Sequence, residues 1–212
     1  NVYDLSGQTR TLTYNGNPAF TYYNGLVPYA ALDGTGDFFS RADETDLDIL
    51  GSESIYTSGG SRGLTMGGWF WFDDATTDQS LMSKFTATGN QRSYLIFISS
   101  NIAQMLMSSD GTATDAVSSA ASLVTSAWYF VVGRYIPSTE VTIFVNSTKV
   151  INTTSIPSAI FNSTAGFSIG SRNAGATGLL DGRAALCFLS ANNLGDDLIV
   201  SLYQNSRVLF QV

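Results

Sequence analysis

The side chains that could carry chemistry in this chain of 212 residues are mostly carboxylates. The sequence contains no histidine, which removes the usual general base, the Ser-His-Asp arrangement and the common zinc sites. Its glutamates, Glu44, Glu53 and Glu140, are isolated from one another in the sequence. Because retaining glycoside hydrolysis needs two carboxyl groups about 5 Å apart, no acid and nucleophile pair can be drawn on one strand. The sequence therefore predicts a protein that is not an enzyme.

Calcium is the one metal that these side chains would suit, because it prefers hard oxygen ligands. Asp33 and Asp37 lie in a glycine-rich loop and are the candidate calcium ligands. The alternative is that both are ordinary turn residues, since aspartate carboxylates often accept hydrogen bonds from nearby backbone N–H groups. No other cofactor is predicted, because the chain has neither a phosphate-cradling loop nor a dinucleotide fingerprint.

Polar and aromatic residues beside loops are the candidates for binding a sugar, which needs an aromatic plate next to hydrogen-bonding groups. One set is Tyr22 with Tyr23, and the other comprises Asn90, Arg92 and Tyr94. Arg92 could donate two parallel hydrogen bonds to a carboxylate-bearing sugar. The competing interpretation of both sets is an exposed turn or a contact between subunits.

The composition indicates a folded chain built from strands. Hydrophobic residues make up 44% and charged residues 13%, which is enough apolar surface for a core. Phenylalanine and tyrosine are abundant while good helix formers are scarce, which favours strands over helices. A net charge of −7 with scattered basic residues argues against nucleic-acid binding. No apolar stretch approaches the ~20 residues that a membrane span requires.

About ten to twelve short apolar and aromatic runs, separated by Gly, Asn, Asp and Ser, predict the strands that position these residues. Examples are Asp37–Ser40, Leu64–Phe72, Ser93–Ile98, Ala103–Met107, Trp128–Tyr135, Val141–Val145, Gly166–Ile169 and Arg183–Leu189. The segment Ala113–Thr125 is predicted to be a loop or an exposed edge strand. Cys187 is interpreted as a buried small hydrophobic residue.

Two patterns refine this picture. Residues 141, 143 and 145 alternate with 142 and 144, which predicts one dry and one wetter face and places Phe144 on the wetter one. Leu198, Ile199, Leu202 and Tyr203 recur at helical spacing after an acidic pair, which predicts one short helix over residues 195 to 206. With no internal repeat and no shift in composition, residues 1–212 are predicted to form a single all-β domain, a two-sheet antiparallel sandwich.

The ordered series of segments resembles the laminin-G-like (pentraxin-like) jelly rolls of the concanavalin A-like superfamily. The resemblance runs through Asp4–Gly7, Leu12–Gly16, Ala31–Ser40, Leu64–Trp69, Leu81–Phe85, Trp128–Val132, Val141–Asn146, Phe167–Gly170, Leu180–Arg183 and the closing Leu202-Tyr203. It implies a jelly-roll fold in which Trp69 is a packing residue. Trp71 lies two residues further along, so on a regular strand it should lie on the same face as Trp69. Relatives often have a tight Asn-Gly turn after the central strand, whereas here Asn146 is followed by Ser147-Thr148, which predicts a longer turn. Ala184-Ala185 replace an acidic pair of many relatives, so the resemblance gives a calcium site little support.

Two functions follow as expectations. The first is a structural or display module of a virion or cell surface, of the kind that decorates a phage capsid or appendage, with a capability for glycan adhesion. The second is a dedicated carbohydrate-binding, lectin-like module. The expected partners are a glycan or a capsid or surface protein, and the expected location is the virion surface or the extracellular space. The absence of an initiating methionine favours a processed chain or part of a larger polypeptide. Three Asn-x-Ser/Thr sites, at Asn146, Asn152 and Asn162, could be glycosylated or could occur by chance.

Overall fold

The computed structural model describes residues 4–5, 10–49 and 62–212. Within these ranges the chain forms two seven-stranded sheets and one α-helix. The strands, in chain order, are β1 Thr13–Asn15, β2 Ala19–Tyr23, β3 Val27–Asp33, β4 Phe38–Arg41, β5 Arg62–Phe72, β6 Gln79–Thr86, β7 Gln91–Ser99, β8 Ile102–Met107, β9 Asp115–Ser122, β10 Trp128–Ile136, β11 Glu140–Val145, β12 Thr148–Asn152, β13 Phe167–Ile169 and β14 Asp181–Asn192. The helix α1 spans Asp196–Phe210.

Every strand pair of both sheets is antiparallel. The first sheet has the order β1-β4-β13-β6-β7-β8-β9, and the second has the order β12-β11-β10-β5-β14-β3-β2. Strands that are distant in sequence become neighbours, as in a jelly roll. The predicted fold class, an all-β two-sheet sandwich with one C-terminal helix, is confirmed.

The main core lies between the two sheets and follows from the alternation of side chains along each strand. On β7 the core residues are Tyr94, Ile96 and Ile98, and on β11 they are Val141, Ile143 and Val145, as the alternation predicted. Burial of these side chains provides the principal driving force for stacking the sheets.

A second apolar cluster lies on the outer face of the second sheet, beneath α1. The Trp69 ring stacks on Phe210 at a centroid distance of 4.2 Å, and its Nε1 donates to Ser206 Oγ at 2.9 Å. Phe144 belongs to this cluster and is 1% exposed. The prediction that Phe144 faces water is therefore wrong, because the helix covers the face on which it lies. Trp71 shares that face with Trp69, as expected, and is partly exposed.

The helix is longer than predicted, ending at Phe210 rather than near residue 206. Its last turn is held by packing of Phe210 against Trp69, which the local sequence could not reveal. At the other end, Asp196 forms ion pairs with Arg134 on β10 and Lys149 on β12. These contacts fix both ends of α1 on the second sheet.

Three smaller predictions have clear outcomes. Residues 115–122 form the edge strand β9 of the first sheet, one of the two alternatives expected there. The predicted longer turn after β11 is wrong, because Val145 pairs directly with Thr148 and Asn146 adopts a left-handed φ of 56°. Cys187 is partly buried at a bulge of β14, and desolvation raises the pKa of its thiol to about 12. Of the helices described, none combines the length and apolar character needed to cross a membrane.

Candidate ligand-binding groove

A groove of about 400 Å³ lies on the outer face of the first sheet. Strands β6, β7 and β8 form its floor, and the segment 172–177 forms a wall. Its lining residues are Asp78, Phe85, Ala87, Arg92, Leu95, Phe97, Leu106, Arg172, Asn173 and Thr177. The groove therefore combines an apolar floor with charged and polar groups at its sides.

The floor exists because β7 is apolar on both of its faces. Tyr94, Ile96 and Ile98 point into the core, so the alternate residues Leu95 and Phe97 point outward. Leu106 of β8 pairs directly with Leu95 and extends the apolar strip. Phe97 and Leu106 are partly exposed, and they leave an aromatic ring and an aliphatic side chain open to a ligand.

Arg92 stands at one side of the groove. Its Nη1 donates to the carbonyl oxygens of Thr112 at 2.7 Å and Gly111 at 3.3 Å. The guanidinium carbon lies 5.8 Å from the ring centroid of Phe85, the residue opposite it on β6. In the part of the chain that the structure describes, Nε and Nη2 have no protein partner. Arg92 is thus held through Nη1 while the other edge of its guanidinium stays available.

Arg172 is the second cation of the groove. Its Nη1 donates to Ser80 Oγ at 3.1 Å, and its Nη2 lies 3.6 Å from Asp78 Oδ2. The guanidinium carbon is 5.9 Å from the Phe97 ring centroid. Gly178 packs closely here: a Cβ at this position would lie 2.8 Å from Arg172 Nη1. The close approach of the Gly178 backbone therefore restricts the position of the Arg172 side chain beside Phe97.

The wall beside Arg172 has an unusual backbone. Asn173 and Ala174 both adopt a left-handed φ of 54°, a conformation that costs about 1 kcal/mol or more for a residue with a Cβ. Asn173 offsets this cost, because its Oδ1 accepts from Ala87 N at 2.8 Å and its Nδ2 donates to Thr177 Oγ1 at 2.6 Å. Gly175 follows at φ 85°, where a Cβ would strike the Phe38 ring. The wall is thus ordered by specific contacts with the sheet.

The second predicted ligand set is only partly brought to the groove. Arg92 lines it, whereas Asn90 lies in the preceding exposed turn with a φ of 58°. Tyr94 points into the core, is fully buried and donates from its hydroxyl to Leu47 O at 3.0 Å. Burial raises the pKa of Tyr94 far above its ordinary value. The structure therefore does not support a ligand-binding role for Tyr94.

The first predicted set lies elsewhere, on the edge strand β2 of the second sheet. Tyr22 is 64% exposed, so it remains a candidate for contacting a ligand or another protein. Tyr23 is partly buried and its ring packs against Trp128 and Phe210, at centroid distances of 5.7 and 6.2 Å. Tyr23 thus has a packing role, and neither tyrosine joins Arg92.

The candidate calcium ligands both accept hydrogen bonds from backbone N–H groups. Asp37 is 6% exposed and its Oδ1 accepts from Asn17 N at 2.6 Å. Asp33 Oδ1 accepts from Thr35 N at 2.8 Å, and this hydrogen bond lowers the pKa of the Asp33 carboxyl. Among the described residues, no group of three or more acidic or thiol side chains could hold a metal ion. The turn interpretation therefore accounts for Asp33, whereas Asp37 joins its loop to the backbone of Asn17, and calcium binding by the two aspartates stays a prediction.

Most of the groove was missed by sequence reasoning. Phe97 and Leu106 read as ordinary strand residues, and Arg172 lies 80 positions from Arg92 in the sequence. The one available signal was that β7 is apolar at successive positions, which predicts apolar side chains on both faces of a strand. That signal could have predicted that the outer face of β7 is covered or binds a ligand. It could not have identified the residues of the wall formed by the segment 172–177.

Comparison with known proteins gives a family and a fold. A family model described as Laminin_G_3, concanavalin A-like lectin/glucanases superfamily, matches residues 50–184. No curated protein sequence matches the chain.

Among solved structures, the binding domain of botulinum neurotoxin serotype G is similar with a TM-score of 0.70 at 9% identity, covering 96% of this chain and 48% of that one. The binding domain of neurotoxin DC is similar in its complex with rat synaptotagmin II (TM-score 0.66, 12% identity) and in its complex with SialylT (TM-score 0.66, 13% identity). In the synaptotagmin and SialylT complexes too, the match covers 96% of this chain and 48% of the other. The chain thus spans about half the length of these domains, and at such low identity the similarity shows the fold alone.

Proposed function

Because the chain belongs to the Laminin_G_3 family of the concanavalin A-like lectin/glucanase superfamily, we propose that it is a non-catalytic carbohydrate-binding module whose ligand occupies the groove on the first sheet. One observation carries the proposal: the partly exposed ring of Phe97 lies 5.9 Å from the guanidinium carbon of Arg172, in a groove that Arg92 and Asn173 also line. Sugars present both apolar ring faces and hydroxyl groups, so this combination matches what they need. The solved structures similar to this chain include a binding domain in complex with SialylT, which agrees with a binding role for the fold.

The carboxylates support a binding module rather than a hydrolase. Glu44 accepts a hydrogen bond from Arg41 Nη2 at 2.7 Å, and Glu140 pairs with the buried Arg134. Glu53 lies outside the described residues. Asp78 is the one carboxylate among the residues lining the groove, and it faces Arg172. Since hydrolysis of a glycosidic bond requires two carboxyl groups, we expect no release of reducing ends from any polysaccharide that the protein binds.

A glycan array with the purified chain tests the proposal. We expect binding to a defined subset of glycans. We also expect EDTA to leave this binding unchanged, because Asp33 and Asp37 both accept backbone hydrogen bonds and neither lines the groove. Phe97→Ala should weaken binding about threefold to tenfold, because it removes an aromatic surface. Tyr22→Ala is the control, since Tyr22 is also aromatic and is 64% exposed but lies on the second sheet. If Tyr22→Ala abolished binding while Phe97→Ala did not, the ligand site would belong to the edge strand β2 instead.

The setting of the module is a further part of the proposal. We propose that it acts outside the cell or on a virion surface, as an adhesive part of a larger assembly. The support is the fold, which this chain shares with receptor-binding domains that are about twice its length. Mass spectrometry of purified particles and of the secreted fraction should find the chain there. Its confinement to the cytosol would contradict this setting and leave the groove assignment unaffected.

A further inference from the structure

We infer that the groove selects an acidic glycan, with a sugar carboxylate bound to the Nε and Nη2 edge of Arg92. This inference rests on the proposed function and adds the chemical class of the ligand. The Nε and Nη2 atoms of an arginine point the same way and match the two oxygens of a carboxylate. In Arg92 the protein uses the opposite nitrogen, Nη1, to bind the carbonyl oxygens of Gly111 and Thr112.

The anchoring of Arg92 makes this edge an ordered binding element. Two carbonyl acceptors and the ring of Phe85 restrain the guanidinium, so little side-chain entropy remains to be lost when a ligand binds. An unrestrained surface arginine would lose more freedom for the same two hydrogen bonds. The geometry thus resembles a preformed site for one planar anion.

The charge of the groove also favours an anion. The residues lining the groove include two cations, Arg92 and Arg172, and one carboxylate, Asp78, whose side chain is 55% exposed and 3.6 Å from Arg172. The groove is therefore locally cationic in a chain of net charge −7, and this contrast would direct an anionic ligand to it. The floor of Phe97 and Leu106 suits the apolar face of a sugar ring rather than a small inorganic anion.

Matched glycan pairs provide the test. Binding is measured by calorimetry for sialyllactose against lactose, and for a glucuronate-terminated oligosaccharide against its glucose-terminated counterpart. We expect at least one acidic member to bind about tenfold or more tightly than its neutral partner. Raising NaCl from 50 to 500 mM should reduce that preference, because salt screens the partly exposed arginines.

Variants locate the interaction. Arg92→Gln should remove the acidic preference and leave weak neutral binding, whereas Arg92→Lys should keep only part of it, because an ammonium lacks the planar fork. Arg183→Gln is the control, since it changes the net charge equally but alters a side chain on the outer face of the second sheet, stacked over Trp71 at 4.4 Å. Thermal unfolding checks that each variant is folded. If Arg92→Gln does not fold, the test rests on Arg92→Lys.

Each outcome has a distinct meaning. If no glycan binds, the proposed function itself fails and the inference fails with it. Equal binding of acidic and neutral partners, both weakened by Phe97→Ala, would keep the proposed function and overturn the inference. A preference for sulfated over carboxylated glycans, or an Arg92→Gln variant with unchanged acidic preference, would also overturn it.

Discussion

The two lysines of the chain both bind carboxylates, but in different surroundings. Lys84 is 1% exposed, lies 2.5 Å from Asp43 and 3.3 Å from Asp48, and donates to the carbonyl oxygens of Ser163 and Ala165. Lys149 pairs with Asp196 where both side chains are partly exposed. A buried ammonium must be matched by acceptors to be tolerated, so Lys84 joins the segment around Asp43 and Asp48 to the first sheet.

Lys84→Met is predicted to destabilise the protein by about 3 kcal/mol or more, because it leaves Asp43 and Asp48 near a site without their cation. Lys149→Met is the matched control and should cost about 1 kcal/mol or less, as partly exposed ion pairs do. Urea unfolding of the three proteins measures both differences. Equal, small shifts of the two midpoints would contradict the structural role assigned to Lys84.

At the scale of elements, the strands were predictable and the covering of their faces was not. Alternation placed Val141, Ile143 and Val145 correctly in the core, because a strand buried on one side has a period of two. The same rule misplaced Phe144, since the residues that cover it come from α1, more than 50 positions away. Arg92 was found because it stands among polar and aromatic neighbours, but Arg172 was not, because only the pairing of distant strands brings it to the groove.

The last turn of α1 provides a test of this tertiary contribution. Phe210 is 1% exposed and stacks on Trp69, so Phe210→Ala should destabilise the protein by about 3 kcal/mol and shift tryptophan fluorescence to the red as Trp69 becomes hydrated. Val208→Ala alters a residue of the same turn that is 69% exposed, and it should change stability by less than about 0.5 kcal/mol. Thermal unfolding and emission spectra distinguish the two. Matching behaviour of both variants would show that the helix end is not packed as described.

At the scale of the whole molecule, the negative charge is unevenly distributed. Asp33 and Asp181 are cross-strand neighbours on β3 and β14, and Asp73 follows β5 beside them. Burial and then the charges of Asp73, Asp74 and Asp33 raise the pKa of the Asp181 carboxyl. Asp110 differs, because hydrogen bonds from Thr112 N and the same residue's side chain lower its pKa to about 2. The two carboxyls therefore affect stability in opposite directions.

Asp181→Asn is predicted to stabilise the protein at pH 7 by about 0.5 kcal/mol, as expected for relief of repulsion between partly exposed charges. The folded-state pKa of Asp181 lies above the ordinary value of 3.8, so the wild type loses stability as pH rises through that window. The advantage of the variant should therefore disappear below about pH 3.8, where wild-type Asp181 is protonated in both states.

Asp110→Asn should have the opposite effect, because ionised Asp110 favours the folded state. The variant should be less stable than the wild type at pH 7, and this difference in unfolding free energy should vanish only as the pH falls towards 2. Unfolding free energies measured between pH 2 and pH 7 check both expectations. A destabilising Asp181→Asn at pH 7 would mean that the Asp181 carboxylate makes a favourable contact that outweighs its burial and its repulsion from the neighbouring aspartates.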